Sequence, residues 1–206
     1  MSKQVIVDFI GSLQFTPEQI NESISQNSGK LIVSGVMQRG SSNMDKNFNQ
    51  NGRSYPMPIL KRECEKYKKV FVAERRALGE LDHPESSVVN LANVSHNILD
   101  LWWEGNDLMG RIEILSTPSG NIAKELLKAG IRLGISSRGM GSVKNLGEGR
   151  VEVQDDFEIV CWDLVSNPST QGAFMDNLNE GVSHGASNNN KYNKVNSLIS
   201  DIISIM

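Results

Sequence analysis

The run Gly134-Ile135-Ser136-Ser137-Arg138-Gly139-Met140-Gly141-Ser142 constrains this chain more than any other stretch. It follows directly on the apolar alternation Ile131, Leu133, Ile135, and a period of two marks a strand with one buried face. The glycines predict that this strand ends in a tight turn around the serines. Parity puts Ile131, Leu133 and Ile135 on one face, with Arg132, Gly134 and Ser136 on the other. Ser136 then points away from the aliphatic face and Ser137 points with it, which favours Ser136 as the available hydroxyl and leaves Ser137 as its rival. A serine is no nucleophile by itself, because it needs a base and the base needs an orienting group.

Other strands are written into the chain. Residues 30–38 are rich in β-branched side chains and of strand length. Residues 88–103 mix alternation with apolar pairs and read as strands. Glu104-Gly105-Asn106-Asp107 reads as a hairpin turn, with 108–115 returning. Residues 143–156 form a second hairpin turning at Gly147-Glu148-Gly149, and 157–165 are the most apolar strand of the chain. Helices are fewer. Thr16-Pro17-Glu18-Gln19 supplies a cap, a proline at the first helical position and an early acid. The pattern from 58 to 76 steps by three and four, through Ile59, Leu60, Cys64 and Tyr67. Thr117-Pro118 opens a helix over 121–129 whose inner face is expected to be Ile122, Ala123, Leu126 and Leu127, with Gly130 closing it.

Composition adds limits. The chain has 206 residues, 24 acidic and 21 basic side chains and a net charge of −3, so no surface for nucleic acid is advertised. No apolar run approaches the ~20 residues that span a bilayer, and the N-terminus lacks a signal-peptide pattern. A cytoplasmic protein with two free thiols, Cys64 and Cys161, is expected. The domain is expected over 1–174, with its core at about 30–170. Residues 175–206 then form a polar tail ending in a short amphipathic helix through Leu198, Ile199, Ile202 and Ile203. The polar stretch 40–56 is long for a structureless loop, although Arg53 and Tyr55 give its end something to pin down.

Three residues stand out as partners for the serine. His83 lies in the turn Asp82-His83-Pro84, where a plain surface histidine is the competing interpretation. His96 shares parity with Val94 and Ile98 and fits a buried wall position. Asp163 sits in the apolar strand 157–165, where a carboxylate is costly unless paired or hydrogen-bonded. Cys64, among lysine, arginine and glutamate on a helix, is read as a packed residue before a reactive one. A metal-dependent hydrolase built on Asp82, His83 and His96 is disfavoured by the lack of an HxxxH pattern. Residue types alone leave serine hydrolysis as one option among several.

Four ordered blocks narrow the choice: Asn51-Gly52-Arg53-Ser54-Tyr55-Pro56, Gly79-Glu80-Leu81-Asp82-His83-Pro84, Leu101-Trp102-Trp103-Glu104-Gly105-Asn106-Asp107 and Gly134-Ile135-Ser136-Ser137-Arg138-Gly139. In this order they resemble the prohead core protein proteases of large tailed phages, over about residues 30–170. That family is similar in fold to herpesvirus assemblins. The resemblance implies an α+β fold, a mostly antiparallel β-barrel surrounded by helices. It implies a serine endopeptidase without a cofactor or metal that cleaves scaffold (prohead core) proteins, the major capsid protein and itself. The place is the immature capsid in the host cytoplasm, with no nucleic-acid or membrane partner.

On that resemblance Ser136 attacks, His83 is the base and Asp163 orients it. In the assemblins the third member is a histidine, so His96 is the fallback. Ser137, Arg138 and Gly139 would stabilise the oxyanion or bind substrate, the glycines letting substrate approach the backbone. Family members are associated with cutting after a glutamate two residues beyond an aliphatic residue. Leu178-Asn179-Glu180 before Gly181 has that form, as does Leu146-Gly147-Glu148 before Gly149. Self-cleavage between Glu180 and Gly181 is the expectation. Latency is expected too, through residues 40–50, residues 181–206 or homo-oligomerisation. A non-catalytic core or scaffold protein keeping the fold is the alternative.

Overall fold

The structure is a computed structural model and describes residues 4–13, 16–42, 46–84, 86–166 and 174–176. In chain order the elements are β1 (Gln4–Leu13), α1 (Pro17–Gln26), β2 (Leu31–Arg39), β3 (Arg53–Ser54), α2 (Met57–Tyr67), β4 (Leu78–Glu80), β5 (Val94–Glu104), β6 (Asp107–Ile114), α3 (Pro118–Lys128), β7 (Leu133–Gly141), β8 (Val143–Gly147), β9 (Arg150–Val153), β10 (Glu158–Val165) and β11 (Phe174–Asp176). Among the described residues no helix is long and apolar enough to cross a membrane.

The α+β class holds, but the barrel does not. Eight strands form one open sheet in the order β10-β7-β1-β11-β2-β6-β5-β4, and β3-β9-β8 form a small second sheet. Most pairings are antiparallel, β1 with β11 and β3 with β9 being parallel. The large sheet curls until its two edge strands meet, yet they join only at an isolated bridge between Leu81 and Leu164. One further bond, from Asp82 N to Leu164 O at 2.8 Å, crosses the same seam. A barrel needs a continuous ladder around its circumference. Here β4 is three residues long, and its edge meets β10 only through Leu81 and Asp82 just past its end, so no continuous ladder forms.

Local sequence explains most elements. Thr16 closes a capping box with Gln19 at the start of α1. Thr117 caps α3 by accepting from Gly120 N at 3.1 Å. Gly120 also permits close packing, since a Cβ there would stand 2.0 Å from Leu115 O. The inner face of α3 is Gly120, Ala123 and Leu127, while Ile122 is exposed, contrary to expectation. Residues 88–93 are not strand: Val88 and Leu91 are exposed, and a short 3-10 turn over Leu91–Asn93 leads into β5. The end of the polar loop is tied down, with Ser41 N donating to Tyr55 O and Met57 N to Ser41 O.

The core beneath the site is aromatic. Trp162 meets Tyr67 edge-on with centroids 5.1 Å apart, and Tyr55 meets Phe157 at 5.4 Å. Cys64 is fully buried on α2, and burial pushes its thiol far above the ordinary range, so it is a packing residue.

Candidate active site

The serines do not lie in a turn. β7 runs unbroken through them, paired with β1 on one side and β10 on the other. The glycines of this stretch serve packing: a Cβ on Gly139 would stand 2.4 Å from the Phe157 ring, and one on Gly141 would stand 2.9 Å from the Phe157 Cα. The space expected to admit substrate backbone at Gly139 is therefore filled by the protein's own phenylalanine.

A regular strand makes parity decisive. Ser136 pairs directly across the ladder with Asp163, and Arg138 with Cys161. Cross-strand partners share a face, as do residues two apart, so all four side chains stand on one side of the sheet. Ser137 pairs with Trp162 and takes the opposite side, where its hydroxyl is buried without a hydrogen-bond partner among the described residues.

His83 reaches this face from the seam. The bridge at Leu81 and the Asp82–Leu164 bond fix the chain just before it. Asp82 adopts a left-handed conformation (φ 69°), which aspartate tolerates better than most residues. Its carboxylate accepts from the His83 backbone N–H at 2.9 Å. The imidazole then lies over two neighbouring strands, β7 and β10: Nδ1 is 2.8 Å from Asp163 Oδ2, and Nε2 is 3.2 Å from Ser136 Oγ. Ser136 and Asp163 are completely buried and the His83 side chain is 4% exposed. Water screens these contacts poorly, so charge here acts strongly.

Asp163 is not an unpaired charge in an apolar strand. Its Oδ1 accepts from Glu80 N at 2.9 Å and from Arg138 Nη2 at 3.2 Å, and Arg138 Nε stands 3.1 Å from Oδ2. Burial alone would raise its pKa. The His83 contact, the Glu80 N–H and the Arg138 charge outweigh burial and hold the carboxylate below its ordinary range. With an acceptor at Nδ1, His83 carries its proton there, which makes Nε2 the acceptor for the serine hydroxyl.

Arg138 does something other than what the sequence suggested. Its guanidinium is fully buried and turned toward the carboxylates. Nη2 donates to Glu80 Oε1 at 2.6 Å, Nη1 to the Ser86 carbonyl at 2.9 Å, and Nε to Cys161 Sγ at 3.2 Å. Burial works against the charge, but the hydrogen bonds it donates to Glu80 and to the Cys161 sulfur and the charge of Asp163 raise its pKa, so it stays protonated. These partners occupy Nε and both terminal nitrogens, which corrects the reading of the side chain as an oxyanion donor. The Cys161 thiol is kept protonated by burial and by Asp163, and it donates to Asp163 Oδ1 at 3.3 Å.

His96, the fallback third member, lies on β5 with Nδ1 2.9 Å from Ser95 Oγ. It is fully buried, and burial lowers its pKa to about 4 against the opposing pull of Asp163. Nδ1 of His83 faces Asp163, whereas Nδ1 of His96 faces Ser95. Glu80 and Cys161 were missed by the sequence reading. Glu80 stood inside a quoted block, and a glutamate in a three-residue strand beside a histidine turn was the signal available. Glu180 and Gly181 lie outside the described residues.

The chain is 36% identical over 131 residues to the prohead core protein protease of Enterobacteria phage T4, an alignment covering 62% of this chain and 61% of that protein. It spans, in other words, about three fifths of the length of that relative. Among solved structures, the bacteriophage T4 capsid assembly protease superposes with a TM-score of 0.65 at 26% identity, covering 80% of this chain and 99% of that one. The family model described as prohead core protein serine protease matches residues 16–183. That match takes in every strand from β2 to β11 and all three residues of the hydrogen-bonded chain, so this protein belongs to the prohead core protein serine protease family.

Proposed function

We propose that this chain is a serine endopeptidase that cleaves scaffold and capsid proteins inside the phage prohead during capsid maturation, and cleaves itself. One observation carries the reading: Ser136 Oγ, His83 and Asp163 form a continuous hydrogen-bonded line across the seam of the sheet. In this reading His83 Nε2 takes the Ser136 proton as Oγ attacks the scissile carbonyl, and then delivers it to the leaving amine. Asp163 fixes the tautomer and stabilises the imidazolium while remaining ionised. Arg138 acts behind Asp163, and Gly139 supports the strand through Phe157.

The family supports prohead core and capsid proteins as the substrates, and cutting after a glutamate, with self-cleavage at Glu180-Gly181, belongs to the same proposal. Homo-oligomerisation is one route to latency, and residues 40–50 and 181–206 are the other candidates. The non-catalytic alternative has no observation in its favour, because a serine, base and carboxylate in line are not required to hold the fold.

Co-expression with a prohead core protein tests the proposal. Wild type is expected to shorten the core protein, and Ser136→Ala to leave it intact. Ser137→Ala separates the two hydroxyls, and added chelator separates a metal-dependent route. Cleavage by Ser136→Ala at the wild-type rate overturns the assignment. Intact-mass measurement of active protein beside Ser136→Ala reads the Glu180-Gly181 event, and an unshortened active chain rejects it.

A further inference from the structure

Behind the line of Ser136, His83 and Asp163 lies a buried charge pair with no part in proton transfer. Glu80 and Arg138 are each fully buried and meet at 2.6 Å. A buried ion pair is poor evidence for stability, since desolvation offsets most of its attraction. Its contacts suggest another use. Arg138 holds Asp163 through Nε and Nη2, and through Nη1 it holds the Ser86 carbonyl. Glu80 Oε1 accepts from Asn90 N at 3.0 Å. The pair therefore ties down the loop after His83 at two points, 86 and 90, and the carboxylate that faces His83. A guanidinium alone would keep the hold on Asp163 and the tie at Ser86, but it would lose the tie at Asn90 and cancel the charge of Asp163.

We propose that Glu80 is a positioning residue of the hydrolytic site: its carboxylate offsets Arg138, so that the guanidinium anchors Asp163 and the His83 loop while Asp163 still presents net negative charge to His83. The inference rests on the serine-protease reading. The described groups around the cluster leave the charge balance to three residues. Cys161 on β10 and Tyr67 on α2 are held protonated by burial, and burial keeps His96 on β5 neutral. Ser136 on β7 is uncharged, and the Asp82 carboxylate engages the His83 backbone N–H. Glu80, Arg138 and Asp163 thus sum to one negative charge beside the imidazole.

The test is the pH dependence of kcat/KM for wild type, Glu80→Gln and the double variant Glu80→Gln/Arg138→Met. Glu80→Gln removes the offset, disfavours the imidazolium, and is expected to move the acid limb to lower pH by roughly one unit. The double variant removes both charges and is expected to bring the limb back to the wild-type position. A purely structural pair predicts lower activity with an unmoved limb in both variants, and that result overturns the proposal. The titration of His83 by NMR, in a Ser136→Ala background with the signal assigned by His83→Gln, reads the same shift without turnover. If the NMR shift appears while Ser136→Ala retains full activity, the charge offset stands and the catalytic reading falls. If either variant fails to fold by thermal unfolding, Glu80→Asp, which keeps the charge, is expected to titrate like wild type. A displaced limb in that variant likewise overturns the proposal.

Discussion

His83 Nδ1 lies 2.8 Å from Asp163 Oδ2 although the two residues belong to opposite edges of one sheet. The ladder does not join those edges. A bridge at Leu81–Leu164 and the bond from Asp82 N to Leu164 O bring them together. Site and seam are thus one feature: where the sheet fails to close, the turn that leaves β4 lays its imidazole over the carboxylate of β10.

Replacing the carboxylate tests that relationship directly. Asp163→Asn keeps the shape but loses the charge that fixes the His83 tautomer. Cleavage is expected to fall by about 10⁴-fold. Arg138 would also lose one of its two carboxylate partners in a buried site, at a cost of roughly 3 kcal/mol. Single-turnover cleavage and denaturant unfolding on the same preparation separate the two effects. A variant within tenfold of wild-type activity would remove Asp163 from the mechanism.

The seam itself is testable at Gly79. A Cβ there would stand 2.0 Å from the Trp162 carbonyl and 2.4 Å from the His96 ring, so β4 would have to move off β10. Gly79→Ala is expected to destabilise the fold by roughly 1–3 kcal/mol and to lower cleavage further than that loss accounts for, because His83 shifts with β4. Denaturant midpoints, with activity measured well below the transition, check both parts. Unchanged stability and activity would mean that the two edges are not held as tightly as the structure shows.

Ser136 and Ser137 give a sharper contrast. They are adjacent and both buried, yet strand parity sends one hydroxyl to His83 and the other to the side of Trp162. Ser136→Ala is expected to reduce turnover by at least about 10⁴-fold. Ser137→Ala removes a buried hydroxyl with no partner among the described residues and is expected to change turnover less than about tenfold and stability little. Steady-state cleavage of a core-protein peptide distinguishes them, and reversed magnitudes would transfer the nucleophile to Ser137.

Much of this is legible in the sequence, and the exceptions have physical causes. The parity of Leu133 and Ile135 separated the two serines because a strand enforces period two, whatever lies around it. The caps of α1 and α3 and the two hairpins were readable for the same reason, as local chemistry. Closure of the sheet was not, because it depends on how far β4 continues beside β10, and no single residue encodes that. Val88 and Leu91 misled because apolar content alone cannot tell a strand from an exposed loop. Arg138 misled because an arginine beside a serine reads the same whether it faces substrate or a carboxylate. Only the fold brings Glu80, 58 residues earlier in the chain, within 2.6 Å of it.

The last prediction concerns His96, which the fold keeps neutral. Burial lowers its pKa from 6.5 to about 4, so the unfolded chain binds a proton over a range where the folded chain does not. Stability is then expected to be unaffected by this residue above about pH 6.5 and to decline as the pH falls from there toward 4, by roughly 3 kcal/mol in all. Asp163 works in a lower window. Its depressed folded value contributes stability that is complete above the ordinary carboxylate range and is lost only as the pH drops below it. The two are separable by denaturant unfolding between pH 4 and 7.5. Wild type should weaken steadily below 6.5, and His96→Gln should flatten that slope while lowering stability at pH 7, where the imidazole packs against Gly79. An equal slope in both proteins would show that His96 takes up its proton as readily in the native state as in the unfolded chain, and so does not occupy the dry position beside Trp162.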